Sequence, residues 1–365
     1  MTMDNRLFKT MNSLNQRIDK TRESIVVNHT KRKWVRIVSE NVNSHLSPEK
    51  VEECKALYKP YFPLNICFHE FYTEKTGTYD PRYIPDDLYY GVIDRYFNNH
   101  KMAAVLDNKC FYPRIFGDIC RQAELYAYRM NGYWYNRTLK SVTEDVVMGG
   151  VEQLDELVIK KATDSFGGHG VSFISRNSSF AMTEQFKQVV SDITGDIVVQ
   201  FPIVQHSEMA KLHRESINTI RAFSFLSREG EVKVYSVIVR MGIGTARVDN
   251  ASSGGITCGV EHDGTLKTRA FSPKGICYTE HPTTGMHFEQ VQIPNYMRVL
   301  ETIKKLHQQI PHFRIASWDI AIDENGEPVL VEVNLRAGEL DFHQLNNGPL
   351  FGDDTKAILD EVFHK

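Results

Sequence analysis

The chain has 365 residues, of which 41% are hydrophobic and 24% are charged, and this is an ordinary globular composition. The 43 lysines and arginines against 46 acidic residues leave a net charge of −3, which does not favour nucleic-acid binding. No stretch has the run of about 18 apolar residues that a membrane span needs, and the N-terminus lacks the apolar core of a secretory signal. We therefore expect a cytoplasmic protein without stable membrane insertion.

The cysteines form no CxxC pair and show no metal-ligand spacing. Buried, reduced thiols are the simplest interpretation, and they agree with a cytoplasmic protein. The cysteines are Cys54, Cys67, Cys110, Cys120, Cys258 and Cys277.

Residues 1–80 are predicted to form a mainly helical N-terminal region. Within it, "SPEKVEECKALYKPY" (47–61) begins with a capping serine and acidic residues in the first turn. Residues 81–140 form a second helix-rich region, in which "PDDLYYGVIDRYFNNH" (85–100) begins at Pro-Asp and ends at Asn-Asn. A helix over 108–122 is disfavoured by the proline within it.

From about residue 124 the pattern changes to apolar, β-branched segments between turn signals, which predict strands. We interpret "AYRMNGYWYN" (127–136) as one strand. A helix is predicted over 294–310, and another ends the chain. The fold class predicted is therefore α+β with antiparallel sheets. The other predicted strands are "LVIKKA", "GVSFIS", "DIVVQFPIV", "TIRAFSFLS", "VKVYSVIVRMG", "IASWDIAID" and "PVLVEVN".

The last two of these strands are predicted to form a hairpin that turns at Asn325-Gly326. A loop symmetric about this dipeptide places Asp319 opposite Glu332. Because side chains alternate along a strand, one face of the hairpin is polar and the other is apolar. The polar face would carry Ser317, Asp319, Ala321, Leu330, Glu332 and Asn334. The apolar face would carry Trp318, Ile320, Ile322, Val331 and Val333.

Two acids directly opposite, with Cβ atoms about 5 Å apart, repel each other and need a proton or a cation between them. A divalent metal held by Asp319, Glu332 and the amide oxygen of Asn334 would meet this need. Mg²⁺ suits oxygen ligands and nucleotide phosphates, and Mn²⁺ is possible. The alternative is that this face meets solvent and the acids are simply exposed.

The segment "KKATDSFGGHGV" (160–171) is either a phosphate-binding flap or a plain glycine hairpin. It has neither the P-loop spacing nor the strand-to-helix context of a dinucleotide-binding loop, because a strand follows it. Glycines would let backbone N–H groups approach phosphate oxygens. Only one of Lys160 and Lys161 can face a nucleotide, since consecutive strand residues point to opposite faces.

Two further segments have open interpretations. "VDNASSGGI" (248–256) is either an anion-binding turn for an acyl phosphate or a substrate carboxylate, or an ordinary turn. His281 in "EHPTTG" is expected to be a structural or substrate-facing residue, and the alternative is a general base. Arg336, just after the predicted metal strand, could bind a carboxylate with its planar fork.

The order of motifs along the chain resembles the ATP-grasp fold. The motifs are a lysine strand, a glycine-rich flap, a hinge "VVQFPIVQH", and then "SINTIRAF", "VDNASSGGI", "HPTTG" and "WDIAIDENGEPVLVEVN". More narrowly they resemble the sugar-transfer-associated ATP-grasp family, over about residues 80–350 of the chain. The resemblance implies two α+β subdomains that clamp ATP. Residues 141–204 would form the smaller subdomain with the flap, and residues 205–365 the larger one with the Mg²⁺ site.

The resemblance also implies roles for individual residues. Lys160 is preferred over Lys161 on this ground, and Gln205 stands near the place of the usual ribose-binding glutamate. The implied nucleotide contacts are Lys109, Lys160, Gly167, Gly168, Gly170, Gln200, Phe201, Ile203 and Gln205. The implied catalytic residues are Asn218, Arg221 and Arg240. The implied metal ligands are Asp319, Glu332 and Asn334. The candidate substrate contacts are Ser253, Gly254, Gly255, His281 and Arg336.

The function implied is an ATP-dependent carboxylate–amine ligase that works through an acyl phosphate and needs Mg²⁺. Its partners would be small-molecule or glycan-precursor carboxylates and amines in polysaccharide biosynthesis. The alternatives are a kinase-like phosphotransferase and a non-catalytic nucleotide-binding scaffold in a glycan-assembly complex. The identity of both substrates, the oligomeric state and the role of residues 1–80 stay open.

Overall fold

The structure is a computed structural model that describes residues 28–29, 32, 35–163, 170–249, 254–336 and 338–364. The chain divides into two compact units. One comprises Met1–Tyr96 together with Gly348–Lys365, and the other comprises Phe97–Asn347. No helix within the described segments has both the length and the apolar character to cross a membrane.

The smaller unit is helical in its described residues. Ser47 stands at the N-cap of the helix Pro48–Tyr58, which confirms the prediction over 47–61, although its side chain makes no capping hydrogen bond. The predicted helix over 85–100 is present in consecutive pieces. The first 27 residues, also predicted to be helical, lie outside the described residues. The other helical segments are residues 35–39, Cys67–Thr76, Asp86–Leu88, the π-helical turn Tyr89–Ile93, Asp94–Phe97, the 3₁₀ turn Gly352–Asp354 and Thr355–Val362.

The larger unit contains the strands and the remaining helices. Its helical segments are His100–Leu106, the 3₁₀ turn Lys109–Phe111, Tyr112–Phe116, Glu144–Val151, Met182–Asp192, Ser207–Ala210, the 3₁₀ turn Phe288–Gln290, Tyr296–Gln308 and Leu340–Asn347. Its strands are β1 Leu125–Met130, β2 Tyr133–Tyr135, β3 Ser141–Val142, β4 Glu156–Lys161, β5 Val171–Ser175, β6 Ile197–Gln200, β7 Thr219–Leu226, β8 Val232–Met241, β9 Ile256–Val260, β10 Leu266–Phe271, β11 Cys277–Tyr278, β12 Ile315–Ile322 and β13 Pro328–Asn334.

The first antiparallel sheet has the strand order β3-β2-β1-β6-β4-β5. The helix Met182–Asp192 covers one of its faces, because Met182 and Phe186 recur at helical spacing and are both buried. Leu157, Ile159 and Ile197 complete that core from the strands. The opposite face packs against the Lys109–Phe111 turn through a smaller cluster of Cys110, Tyr128, Ala162 and Val198.

The second antiparallel sheet has the strand order β11-β10-β9-β8-β7-β12-β13. The helix Tyr296–Gln308 covers one face, where Ile303 and Leu306 share a core with Trp318. The helix Leu340–Asn347 lies on β9, and Gly259 permits this approach since a Cβ there would stand 2.6 Å from Asn347 Oδ1. Strands β7 and β12 are buried at every position.

Residues 127–136 form a hairpin, so the prediction of one strand there is wrong. Strand β1 ends at Met130, β2 begins at Tyr133, and these two residues pair directly. Asn131 and Gly132 between them have φ of 50° and 83°. Positive φ at both central residues is the backbone of a tight two-residue hairpin, which the Asn-Gly dipeptide favours.

The predicted register of the β12–β13 hairpin is correct at its open end and wrong near its turn. Asp319 pairs with Glu332 as predicted, but Ile320 pairs with Leu330. The extra residue, Val331, forms a bulge that shifts the register by one position. Leu330 consequently joins the apolar core, while Val331 is half-buried, so their predicted faces are both wrong.

A buried polar chain ties β12 to β7 and to the covering helix. The Trp318 N–H donates to Ser224 Oγ at 2.8 Å, and Ser224 Oγ lies 2.7 Å from His307 Nδ1. His307 Nε2 lies 3.0 Å from the Phe313 carbonyl, which assigns the ring proton to Nε2 and leaves Nδ1 to accept from the serine. Burial lowers the pKa of His307 to about 4, which keeps the ring neutral.

We expect Ser224→Ala to lower the free energy of unfolding by about 2 kcal/mol, because the buried Trp318 N–H and His307 Nδ1 lose their shared partner. Urea unfolding followed by tryptophan fluorescence measures this as a lower midpoint. Ser191→Ala is the matched control, since Ser191 is exposed and bonds only within its helix and to its neighbour. Equal midpoints for the two variants would contradict the prediction.

Candidate active site

The site is built around two acids that face each other across β12 and β13. Asp319 and Glu332 are direct partners in the register, and Asn334 pairs with Ser317 two positions along. The Asp319 residue is only 3% exposed, so its charge is not solvated by bulk water. The protein must therefore supply the compensating cations.

Two arginines from the neighbouring strands neutralise Asp319. Arg221 pairs with Asp319 in the β7–β12 register, and its Nε and Nη2 donate to Asp319 Oδ1 and Oδ2 at 2.7 and 2.6 Å. Arg240, on β8, donates from Nη1 to Oδ2 at 3.2 Å. Burial alone would raise the pKa of the Asp319 carboxyl, but the two guanidinium groups hold it below its usual value. Asp319 is therefore ionised at neutral pH.

Glu332 is paired with a lysine from outside the sheet. Lys109 lies in the 3₁₀ turn Lys109–Phe111, which the Asn108 side chain caps by accepting from the Cys110 N–H. Lys109 Nζ lies 2.8 Å from Glu332 Oε1. The Lys109 backbone N–H donates to the Ala162 carbonyl at 3.0 Å, so this turn connects β4 to β13.

The sheet register places Lys160, and not Lys161, toward this cluster. Lys160 pairs with Val198, a member of the cluster that packs on the Lys109–Phe111 turn. Lys161 pairs with Ile197, which lies in the core on the helix-covered face. Burial lowers the pKa of Lys160 to about 8, the nearby Lys109 ammonium lowers it too, and acidic neighbours including Glu332 oppose both effects.

Three carboxylates that the sequence did not single out each hold one of the predicted arginines. Glu339 binds Arg221 Nη1, and Asp107 Oδ2 lies 2.5 Å from Arg336 Nη2. Asp249 Oδ1 lies 3.8 Å from Arg240 Nη2 and accepts the Thr219 hydroxyl through its other oxygen. Burial raises the pKa of Asp249, while Arg240 opposes that effect. Of the three, Asp249 lies within the segment "VDNASSGGI" considered above.

Asn218 and Gln205 lie together, and both side chains bond to the protein itself. Asn218 is fully buried and donates to the Met209 and His213 carbonyls at 2.9 and 2.7 Å. Gln205 donates to the His213 and Ser216 carbonyls and accepts from Asn218. These contacts fix the connection between β6 and β7. Their geometry therefore favours a structural role over the predicted catalytic and ribose contacts.

His281 is also fully buried, and both of its ring nitrogens have backbone partners. Its Nε2 lies 2.9 Å from the Gly242 carbonyl, and its Nδ1 accepts from the Thr283 N–H at 3.2 Å. Burial lowers its pKa, which keeps the ring neutral. Of the interpretations open from the sequence, this geometry favours the structural residue over the substrate contact.

Two residues of the predicted adenine hinge already form hydrogen bonds within the protein. Gln200 donates from its side chain to the Ala123 carbonyl at 3.3 Å, and the Phe201 N–H donates to the Glu124 carbonyl at 2.8 Å. Among the described residues, no backbone hydrogen bond is made by Ile203. The predicted contact of Ile203 with adenine stays a prediction.

Several predicted residues belong to glycine-rich segments. Gly167, Gly168 and Ser253 lie outside the described residues. Gly170 and Gly254 border the two undescribed stretches and have φ of 85° and 88°, in the region that favours glycine. Gly255 lies directly before β9. Their predicted contacts with phosphate and substrate stay predictions.

The predicted metal ligands fit a hard divalent cation by their chemistry. Two carboxylates and an amide oxygen are donors that Mg²⁺ accepts, with water or phosphate oxygens to complete the coordination. The described residues contain no group of three or more histidine, cysteine or acidic side chains that could hold a metal.

Two facing acids with four surrounding cations make an arrangement suited to a polyphosphate and its divalent cation. Residues 92–358 match the family model described as sugar-transfer associated ATP-grasp. The chain belongs to this family, and the predicted α+β ATP-grasp fold class is confirmed. No curated protein sequence gives a significant match.

Solved structures with a similar fold include several ligases and synthetases. VanG D-Ala:D-Ser ligase from Enterococcus faecalis is 14% identical, with 72% of this chain and 62% of that chain covered and a TM-score of 0.43. An L-amino acid ligase from Bacillus licheniformis is 12% identical, with 70% and 48% covered and a TM-score of 0.39. The ADP complex of purK, an N5-carboxyaminoimidazole ribonucleotide synthetase, is 11% identical, with 71% and 53% covered and a TM-score of 0.40.

The chain thus spans about half to three fifths of the length of these structures. At this level of similarity they carry no information about the substrates of this chain.

We expect Asp319→Asn to destabilise the metal-free protein by about 3 kcal/mol or more, because it leaves two buried guanidinium groups without their shared carboxylate. Thermal unfolding in buffer with a chelator measures the change. Asp155→Asn is the control, since the exposed Asp155–Arg176 pair contributes little. An Asp319→Asn protein more stable than wild type would contradict the assigned charge balance.

We expect nucleotide affinity to depend on the protonation of Lys160. If the ammonium form binds phosphate and its pKa is about 8, ATP binding should weaken about tenfold between pH 7 and pH 9. Lys160→Arg keeps its charge over this range, so its affinity should stay flat. Fluorescence titration with a labelled nucleotide measures both, and identical pH profiles for the two proteins would refute the role of Lys160.

Proposed function

We propose that the protein is an ATP-dependent carboxylate–amine ligase that works through an acyl phosphate. The observation that carries the proposal is the meeting of Asp319 and Glu332 with Lys109, Arg221 and Arg240 in one buried cluster, with Lys160 facing it. Family membership supports ATP as the phosphoryl donor. The acceptor carboxylate and the amine are the parts that the proposal adds.

In the first step, an oxygen of the substrate carboxylate attacks the γ-phosphorus of ATP, and ADP leaves. Lys109 and Lys160 would bind phosphate oxygens. Arg221 and Arg240 would neutralise the negative charge of the phosphoryl group during its transfer. Asp319, Glu332 and Asn334 would hold Mg²⁺, which supplies further neutralisation of the phosphate charge. The side chains are positioned by sheet register, so little reorganisation is needed for the reaction.

In the second step, the amine nitrogen attacks the acyl carbon, the new C–N bond forms, and inorganic phosphate leaves with its C–O bond broken. The amine loses a proton in the process. This chemistry needs no covalent nucleophile from the protein, because the phosphate already activates the acyl group. Arg336, whose Nη2 lies 2.5 Å from Asp107 Oδ2, would contact the substrate carboxylate in this proposal.

The family description supports a role in the synthesis of polysaccharides or glycoconjugates. We propose that an amino acid, an amine or a sugar acid is joined there in the cytoplasm. A panel of uronic acids and amino acids, each with and without amines, tests this through ADP release and mass spectrometry of the products. An amide that forms only with ATP supports the ligase. A stable phosphorylated product indicates a phosphotransferase, and no ADP release indicates a nucleotide-binding scaffold.

We expect Glu332→Gln to lower the rate of ADP release by about 100-fold or more, because an anionic ligand of the Mg²⁺ that neutralises the phosphate charge is lost. Glu324→Gln is the control, as Glu324 lies exposed at the tip of the same hairpin. Steady-state kinetics with the substrate pair found above measures both variants. Equal, low rates for wild type and Glu332→Gln would favour the scaffold.

A further inference from the structure

Arg221 has carboxylate partners on two different elements. Its Nε and Nη2 form a fork on Asp319 at 2.7 and 2.6 Å, and its Nη1 binds Glu339. The Arg221 side chain is 5% exposed, whereas the Glu339 side chain is 37% exposed. One arginine is thus shared between a predicted metal ligand and a carboxylate that is not one.

Most lone pairs of the Asp319 carboxylate already accept hydrogen bonds in this arrangement. Its Oδ1 accepts from Arg221 Nε, and its Oδ2 is approached by Arg221 Nη2, Arg240 Nη1 and Asn334 Nδ2, the last at 3.4 Å. A carboxylate oxygen has two lone pairs, so three donors already exceed them. Oδ1 keeps one lone pair, but a cation that binds Oδ2 displaces part of the Arg221 fork, so Arg221 and the cation compete for that oxygen.

The backbone around Glu339 is unusual and places its carboxylate at Arg221. Gly338 and Glu339 have φ of 55° and 57°, and Glu339 is thus a non-glycine residue in the left-handed region. Side chains other than Asn and Asp rarely adopt this region, and a structure retains such strain mostly at functional positions. The Gly338 carbonyl accepts from Ser317 Oγ at 3.2 Å, which anchors this turn to β12.

We propose that Glu339 is a positioning residue that holds Arg221 through Nη1 while Asp319 binds the divalent cation. Arg221 then stays in the site, with the fork that left Asp319 free to meet phosphoryl oxygens. The proposal rests on the metal site of the proposed function, and it assigns to Glu339 the balance between arginine and cation at Asp319.

Without the Glu339 charge, Asp319 is the carboxylate that remains hydrogen-bonded to Arg221 in the described part of the chain, and Arg221 competes more strongly with the cation. Cation binding should weaken, although no ligand has changed. A purely structural ion pair would affect folding and leave cation affinity alone.

Mn²⁺ binding measured by electron paramagnetic resonance, with a non-hydrolysable ATP analogue present, tests this directly. We expect Glu339→Gln to weaken Mn²⁺ binding about tenfold, the scale typical of residues that orient metal ligands. Glu327→Gln is the matched control, since Glu327 forms a two-bond pair with Arg298 at 2.6 Å away from the acids. The control should bind Mn²⁺ as wild type does, and thermal unfolding verifies that each variant is folded.

The double variant separates this mechanism from a general loss of negative charge. In an Arg221→Gln background the competitor is absent, so adding Glu339→Gln should change Mn²⁺ affinity by less than about twofold. If the Arg221→Gln protein does not fold, kinetics of the single variant decide. Glu339→Gln should then raise the Mg²⁺ concentration that gives half-maximal ADP release about tenfold, with a much smaller effect at saturating Mg²⁺.

Unchanged Mn²⁺ affinity in Glu339→Gln would overturn the proposal. So would an equal loss with and without Arg221, because that loss would come from charge alone. Wild-type protein that binds no Mn²⁺ would contradict this proposal and the proposed metal site together. A protein that shows the predicted coupling but joins no amine to a carboxylate would support the role of Glu339 and refute only the ligase.

Discussion

The opposition of Asp319 and Glu332 across one strand pair is the constraint on which the site depends. Strand β12 is buried at every position, so water does not neutralise Asp319. Compensation comes instead from three other elements, through Arg221 on β7, Arg240 on β8 and Lys109 in the turn that also bonds to β4. Burying the two carboxylates raises the free energy of the fold unless cations neutralise them, and the cations that do so are therefore gathered at one point. In the proposed function, this cluster of cations would be assembled before any nucleotide arrives.

A second set of carboxylates, Glu339, Asp249 and Asp107, pairs with the arginines near the site. Each arginine near the site has an acid of its own besides any metal ligand, as the pairs Arg221–Glu339, Arg240–Asp249 and Arg336–Asp107 illustrate. A guanidinium held on one edge can exchange its partner on the other edge without leaving the site. This arrangement reconciles tight charge pairing in the free protein with the exchange of partners that binding a cation and a polyphosphate requires.

Local patterns predicted most of the larger unit, and the failures have identifiable causes. The Asn-Gly rule predicted the turn at Asn325-Gly326, and the same rule would have predicted the hairpin at Asn131-Gly132. The register at Asp319 was right although the turn is off-centre by one residue, because the bulge at Val331 restores it. A bulge has no reliable sequence signal, since it depends on how two strands twist together. The helices Met182–Asp192 and Leu340–Asn347 were not predicted.

For the site, alternation and register predicted which residues meet, but not which partners they take. Lys160 and Lys161 could not be separated by alternation within their own strand, and only their pairing with Val198 and Ile197 decides between them. Asn218, Gln205 and His281 look available in the sequence, yet the fold already uses Asn218 Nδ2, the Gln205 amide and both His281 ring nitrogens in hydrogen bonds within the protein. Glu339 and Asp107 come from segments whose positions depend on tertiary packing. Their pairing with arginines therefore could not be predicted from the sequence.

Anomalous diffraction from Mn²⁺ in crystals grown with a non-hydrolysable ATP analogue tests the account most directly. The account predicts a peak about 2.1 to 2.3 Å from oxygens of both Asp319 and Glu332, with the Arg221 fork turned off Asp319 and its Nη1 still on Glu339. A nucleotide bound with its cation elsewhere, or with Asp319 still closed by Arg221, would contradict it.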